Sequence, residues 1–159
     1  MLFRSEVALA DLLGREPVEP DAQLMSASIS NKSVCITGAG GTIGSEITRQ
    51  SLLYGAKRLV IFEVSEFALY QLEECLKEIL DVQSIDCEII SILGSVTNQE
   101  LLDRIFTQYE IQTVYHAAAY KHVPLVEKNP FQGIINNAFG TKAVAAAAQK
   151  TGEIGRAHV

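Results

Sequence analysis

An α/β fold with helices wound over both faces of a parallel sheet is what this sequence predicts. Three observations carry the prediction. Short apolar runs alternate with stretches of helical spacing, the pattern of repeated strand–helix–strand units. The first apolar run ends in a glycine cluster that opens directly into a helix pattern. With 48% apolar and 20% charged residues, the composition suits a packed core and excludes general disorder. A length of 159 residues makes one domain the expectation.

The elements follow in order. Residues 6–31 are polar and carry Pro17 and Pro20, with a short helix-like start over Ala8–Leu13 stopped by Gly14; they read as a lead-in or linker. Ser33–Thr37 is apolar and short, a buried strand. Ile43–Tyr54 has helical spacing and stops at Gly55. Arg58–Glu63 is the second strand. Glu66–Leu80 places Phe67, Leu69, Tyr70, Leu72, Leu76, Ile79 and Leu80 at amphipathic helical spacing. Glu88–Leu93 is the third strand, closed by Gly94. Thr97–Tyr109 is a helix with Thr97 or Asn98 as N-cap and Glu100 close behind. Thr113–Ala118 is the fourth strand. Asn129–Lys150 reads as one long helix with Pro130 in its first turn, and its run Ala143–Ala148 offers a slim face for close packing on the sheet. Right-handed crossovers then give the N-terminal half of a Rossmann-like, doubly wound parallel sheet, incomplete, with strand order 3-2-1-4.

The sharpest motif is Thr37-Gly38-Ala39-Gly40-Gly41-Thr42-Ile43-Gly44, between a strand and a helix. Gly38 permits the tight turn, Gly41 lets backbone approach a pyrophosphate, and Gly44 allows close helix–strand packing. The helix start at Thr42 and Ile43 offers N–H groups and a positive dipole end to phosphates. The second strand ends in Glu63, 63 − 38 = 25 residues after Gly38. That is near the ~20 expected for the acid that accepts hydrogen bonds from a cofactor ribose. A carboxylate there repels a 2′-phosphate, so NAD is expected over NADP. Lys57 and Arg58 fall at the far end of the strand. Ser65, Ser95 and Val96 follow the second and third strands and are expected beside the same cofactor.

Tyr115-His116-Ala117-Ala118-Ala119-Tyr120-Lys121-His122 ends the fourth strand, at the switch point where open α/β sheets bind ligands. Ala117, Ala118 and Ala119 let a cofactor lie against backbone. Tyr120, Lys121 and His122 present polar tips where a substrate would arrive. His116, inside the strand, reads as a packed, hydrogen-bonded residue rather than a catalyst.

Composition excludes several other classes. Thirteen Lys+Arg against 19 Asp+Glu give a net charge of −6, which disfavours a non-specific nucleic-acid binder. No apolar run is long enough to span a membrane, and no secretory signal is visible. Cys35, Cys75 and Cys87 lack a CxxC spacing; they read as reduced, mostly buried thiols of a cytosolic protein, and no metal site is expected. The termini carry a different signal. Ile154-Gly155-Arg156-Ala157-His158-Val159 is the translation of a common short-read sequencing adapter, and Met1-Leu2-Phe3-Arg4-Ser5 is that of its reverse complement. Residues 1–5 and 154–159 are therefore expected to be artefacts around an internal fragment. The expected partition is a lead-in over 1–31 and a partial dinucleotide-binding domain over 32–153.

The strings TGAGGTIGSE, FEVSEFALYQLE and HAAAYKHVPLVEKNPFQGIINNAFGT, with the upstream LADLLGREPVEPD, resemble the CapD-like polysaccharide biosynthesis family. These are extended short-chain dehydrogenase/reductase proteins acting as nucleotide-sugar 4,6-dehydratases or epimerases. The resemblance implies NAD as cofactor and a nucleotide-sugar substrate of the UDP-N-acetylglucosamine type. It implies a cycle in which hydride leaves sugar C4, water is lost across C5–C6, and hydride returns to C6. Lys121, His122, Glu127 and Asn137 would lie toward the substrate, with Asn137 supporting the loop beneath the nicotinamide. Gly94-Ser95-Val96 stands where the family usually has Gly-Asp-Val, and Glu63 where Asp is common. The family's catalytic Thr-Asp-Lys segment and later Lys motif match no position here. The resemblance also implies a homo-oligomeric, membrane-anchored parent at the cytoplasmic face of the inner membrane, with this fragment itself cytoplasmic. An epimerase and a non-catalytic dinucleotide-binding module are the alternatives.

Overall fold

The computed structural model describes residues 21–152 and 155–158. The helix expected over Ala8–Leu13 lies outside them.

Among the described residues, five parallel strands form one sheet: β1 (Ser33–Thr37), β2 (Arg58–Glu63), β3 (Glu88–Leu93), β4 (Thr113–His116) and β5 (Gly155–His158), in the order β3-β2-β1-β4-β5. The expected 3-2-1-4 order is present. Val34 pairs with Leu59 and Thr113, which puts the carboxyl ends of β1, β2 and β4 on one rim. The central strands β1 and β2 are buried almost throughout, because helices cover both faces. The expected four-strand order is extended by one strand at the outer edge of β4. Gly155–His158 occupies it as a fifth strand, pairing Thr113 with Gly155 and Tyr115 with His158 across an irregular register.

On one face, α1 (Ala22–Ile29), α2 (Thr42–Leu53) and α3 (Glu66–Gln83) bury Ile29, Leu52, Leu69, Leu72 and Leu76 against Val34, Ile36, Leu59 and Ile61. On the other, α4 (Gln99–Gln108) and α7 (Thr141–Lys150) pack Leu102, Ile105, Phe106, Ala143, Val144, Ala147 and Ala148 on Cys35, Val60, Phe62 and Val114. The alternation of side chains along β1 and β2 thus feeds two separate cores. The slim alanine face of α7 packs as its composition implies.

Four local expectations are corrected. The polar lead-in holds a helix, α1, capped by the Asp21 carboxylate on the Gln23 and Leu24 N–H groups. The Ser28 carbonyl accepts from the Thr113 hydroxyl at 2.6 Å, which ties α1 to β4. The long helix over Asn129–Lys150 is three pieces: α6 (Pro130–Gly133), a π-helix (Ile134–Gly140) and α7, preceded by a further short helix, α5 (Val123–Lys128). β4 ends at His116, so Ala117 and Ala118 belong to a loop. Cys35 is buried, its thiol pushed up to about 12 by desolvation, but Cys75 is exposed and Cys87 only partly covered.

Candidate functional site

The glycine loop joins β1 to α2 at the carboxyl rim of the sheet. Gly38 has φ +66°, and a Cβ there would meet the Ala117 and Ala118 backbone at 2.7 Å. The turn therefore needs glycine for conformation and for close approach. A Cβ on Gly44 would collide with the Gly38 carbonyl oxygen, so α2 sits against the turn only because that position is bare. Gly41 differs, because its missing Cβ would face little more than the Gly38 oxygen at 3.4 Å. It is the N-cap of α2 and makes no side-chain cap, so the first-turn N–H groups lack a side-chain acceptor.

These features border an open crevice of about 320 Å³. Its wall includes the expected Gly38, Gly41, Glu63, Ser95, Val96, Ala117, Ala118 and Ala119. Thr42, Ile43, Gly44 and Ser65 do not line it. Thr42 and Ile43 lie in the exposed first turn of α2, Gly44 packs beneath, and Ser65 caps α3 through the Ala68 N–H. Sequence reasoning did not single out Gly40, Phe62, Val64, Gly94, Ala68 or Asn136, which also line the crevice. Gly40 had a signal in the motif itself: a Cβ there would meet the Ala68 Cβ at 2.6 Å.

Glu63 is only 8% exposed. Its Oε2 accepts from the Gly40 N–H at 3.0 Å, and its Oε1 accepts from the Val64 and Ser65 N–H groups at 2.9 and 3.0 Å. A carboxylate offers roughly four acceptor positions. Three of them are taken by backbone N–H groups, which leaves one free. Arg58 lies at the opposite end of β2, as expected, and there it pairs with Glu88.

His116 is held between two hydroxyls, with Nδ1 at 2.6 Å from Thr37 Oγ1 and Nε2 at 3.0 Å from Thr141 Oγ1. Burial lowers its pKa. It is a packed, hydrogen-bonded residue, as the strand position implied.

A second cavity of about 390 Å³, largely apolar, adjoins the first through Ala119 and Tyr120. Lys121 and His122 line it. Glu127 and Asn137 do not: Glu127 is exposed on α5, and Asn137 accepts from the Tyr120 N–H at 2.8 Å and donates to the Tyr120 carbonyl at 2.9 Å. Among the described residues no cluster of side chains is arranged to hold a metal, and no helix is long and apolar enough to cross a membrane.

A glycine turn, a loop-bound acid and a small-residue wall at one rim are shared by many dinucleotide-binding folds. The comparison that decides among them is a family model described as polysaccharide biosynthesis protein, which matches residues 34–154. The chain belongs to this polysaccharide biosynthesis family. The capsular polysaccharide biosynthesis protein CapD of Staphylococcus aureus is 38% identical over 151 residues, covering 95% of this chain and 24% of CapD. The chain thus spans about a quarter of that curated relative's length. Among solved structures, Pen from Bacillus thuringiensis is 31% identical with a TM-score of 0.68, covering 77% of this chain and 35% of Pen. WbmG from Bordetella bronchiseptica, in complex with NAD and UDP, is 25% identical with a TM-score of 0.59, covering 77% of this chain and 35% of WbmG.

Proposed function

We propose that this polysaccharide biosynthesis family chain is the NAD-binding part of a nucleotide-sugar 4,6-dehydratase of surface glycan synthesis, acting on a substrate of the UDP-N-acetylglucosamine type. The observation that carries the reading is Glu63, a nearly buried carboxylate with one acceptor position left, set in the crevice wall beside the glycine loop. The complex of WbmG with NAD and UDP supports the same ligand pair here.

Bound in this crevice, NAD would supply the capacity to take up and return hydride. The chain's own residues hold and orient. The Glu63 carboxylate takes a ribose hydroxyl and disfavours a 2′-phosphate. The first-turn N–H groups of α2 face phosphate charge with the positive end of the helix. Ala117–Ala119 keep the β4 side of the wall thin. Lys121 and His122, in the adjoining cavity, stand where an anionic diphosphate would enter. Residues 32–153 form the dinucleotide-binding portion in this proposal, and residues 1–5 and 154–159 remain adapter-derived. The proposal extends to a homo-oligomeric, membrane-anchored parent working at the cytoplasmic face.

The test is to incubate the full-length parent with NAD⁺ and UDP-N-acetylglucosamine and separate the products by chromatography. A 4-keto-6-deoxy sugar nucleotide is expected. A C4 epimer would replace the dehydratase with an epimerase. No product from a parent that binds NAD would leave a binding module.

A further inference from the structure

A polar chain runs from the carboxyl ends of two strands into the π-helix. It starts at the Thr37 hydroxyl at the end of β1, passes through both nitrogens of His116, and reaches the Thr141 hydroxyl at the start of α7. Thr141 Oγ1 then donates to the Asn137 carbonyl at 2.6 Å. The side chain of Asn137 grips both polar groups of the Tyr120 backbone. Tyr120 and its neighbour Ala119 form the wall shared by the two cavities.

Proton counting fixes the direction of this chain. A threonine hydroxyl has one hydrogen, and that of Thr141 goes to the Asn137 carbonyl. Nε2 of His116 must therefore be the donor to Thr141. The neutral ring then leaves Nδ1 as the acceptor for the Thr37 hydroxyl. One hydroxyl thus selects the tautomer of a half-buried histidine and braces a carbonyl of the π-helix. π-helices are rare and frequent at functional sites, and a threonine that bonds back one turn is a known way to bend a helix. Asn137, which holds Tyr120, lies within that π-helix.

We infer that Thr141 is a positioning residue for the crevice: its hydroxyl ties the ends of β1 and β4 to the π-helix and so keeps Asn137 clasped on Tyr120. Thr141 lines neither cavity and acts only through His116 and Asn137. Its bearing on ligand affinity rests on the dinucleotide reading. Glu63 lies at the β2 side of the crevice and Tyr120 at the β4 side, with β1 between. Loosening Tyr120 should weaken the half of a dinucleotide beyond the pyrophosphate and spare the adenosine half.

The experiment compares the wild-type chain with Thr141→Val and Thr141→Ser. Three quantities are read: the His116 ring nitrogen shifts by NMR, hydrogen exchange of the Tyr120 amide, and titrations with NAD and with ADP. The wild type should show a single Nε2–H tautomer. Thr141→Val should lose that tautomer and speed Tyr120 exchange about tenfold, the scale of one lost hydrogen bond. It should weaken NAD about tenfold while ADP affinity holds within about twofold. Thr141→Ser should restore all three. Asn137→Ala, at the other end of the chain of bonds, should reproduce the NAD-against-ADP split, which keeps the test decisive if Thr141→Val does not fold. Unchanged tautomer and exchange in Thr141→Val, NAD and ADP falling together, or no rescue by serine would each overturn the inference. A wild-type chain that binds neither nucleotide overturns the dinucleotide reading, and the tautomer and exchange results still decide the strut.

Discussion

Glu63 does more in the crevice than a ribose acceptor needs to do. Three backbone N–H groups converge on it, from Gly40, Val64 and Ser65. Glu63→Gln must turn its NH₂ toward at least one of those donors and leave it unpaired, a penalty of about 1–3 kcal/mol in a nearly buried site. The variant should lose stability in urea unfolding as well as NAD affinity, whereas a residue that only touched ribose would lose affinity alone. Gly41→Val separates the two effects in the other direction. Its side chain would enter the open space where a pyrophosphate must lie, so NAD titration should show no binding with the unfolding midpoint nearly kept; retained affinity would remove Gly41 from the site. His116 gives a prediction in pH. Burial lowers its folded pKa, so the unfolded chain protonates first as the solution is acidified. The stability it contributes is complete above about 6.5, the ordinary histidine value, and is lost as pH falls through that value toward the lower folded one. Glu46, held down to about 2 mainly by its hydrogen bond from Arg49, loses its contribution in a separate window below about 4.3. Urea midpoints should therefore already decline between pH 7 and pH 5.5 in the wild type and decline less in His116→Gln.

The same physics separates what was legible at the level of elements from what was not. The strands Ser33–Thr37, Arg58–Glu63 and Glu88–Leu93 were readable because β-branched and apolar runs bounded by glycine or charge have few other uses. The glycine turn was readable because its roles are steric and local. The π-helix was not: its residues keep a roughly helical pattern, and nothing in their order marks the wider turn. Helix α1 was hidden for another reason, since only Ile29 of its eight residues is buried and its periodicity is weak. α5 was hidden because none of its six residues is buried, so it carries no core-facing periodicity. The clasp on Tyr120 has no signature in spacing or composition, because it joins residues 17 apart through backbone atoms that carry no identity; only the family resemblance pointed to Asn137 as a loop support. The alanine face of α7 was legible and gives a test. Ala147 is fully buried between α7, α4 and the sheet. Ala147→Leu adds bulk where the helix lies close, with an expected destabilisation of about 1–3 kcal/mol. At ~2–4 °C per kcal/mol for a domain of this size, thermal unfolding should shift down by several degrees. An unchanged midpoint would mean that α7 can lift off the sheet without loss.

At the scale of the whole molecule, the described residues gather one open ligand crevice at the carboxyl rim of the sheet. The rim formed by β1, β2 and β4 carries the glycine loop, Glu63 and the Ala117–Tyr120 loop, and the crevice between them is open to solvent. Chemistry at a sugar C4 hydroxyl needs a group within hydrogen-bond reach to take its proton. Among the described residues that line the two cavities, the titratable side chains are Glu63, Tyr120, Lys121 and His122. Glu63 is committed to backbone N–H groups. Tyr120 is 52% exposed with only its backbone held, and Lys121 and His122 stand exposed at a cavity mouth, so none is fixed to the fraction of an ångström that proton transfer demands. The chain alone is therefore expected to bind NAD weakly and to turn nothing over. Incubated with NAD⁺ and UDP-N-acetylglucosamine, it should give no 4-keto-6-deoxy product above a control without protein, even at concentrations where NAD binding is measurable. Product formation would place the proton acceptor among Tyr120, Lys121 and His122, and single substitutions at those three positions would then identify it.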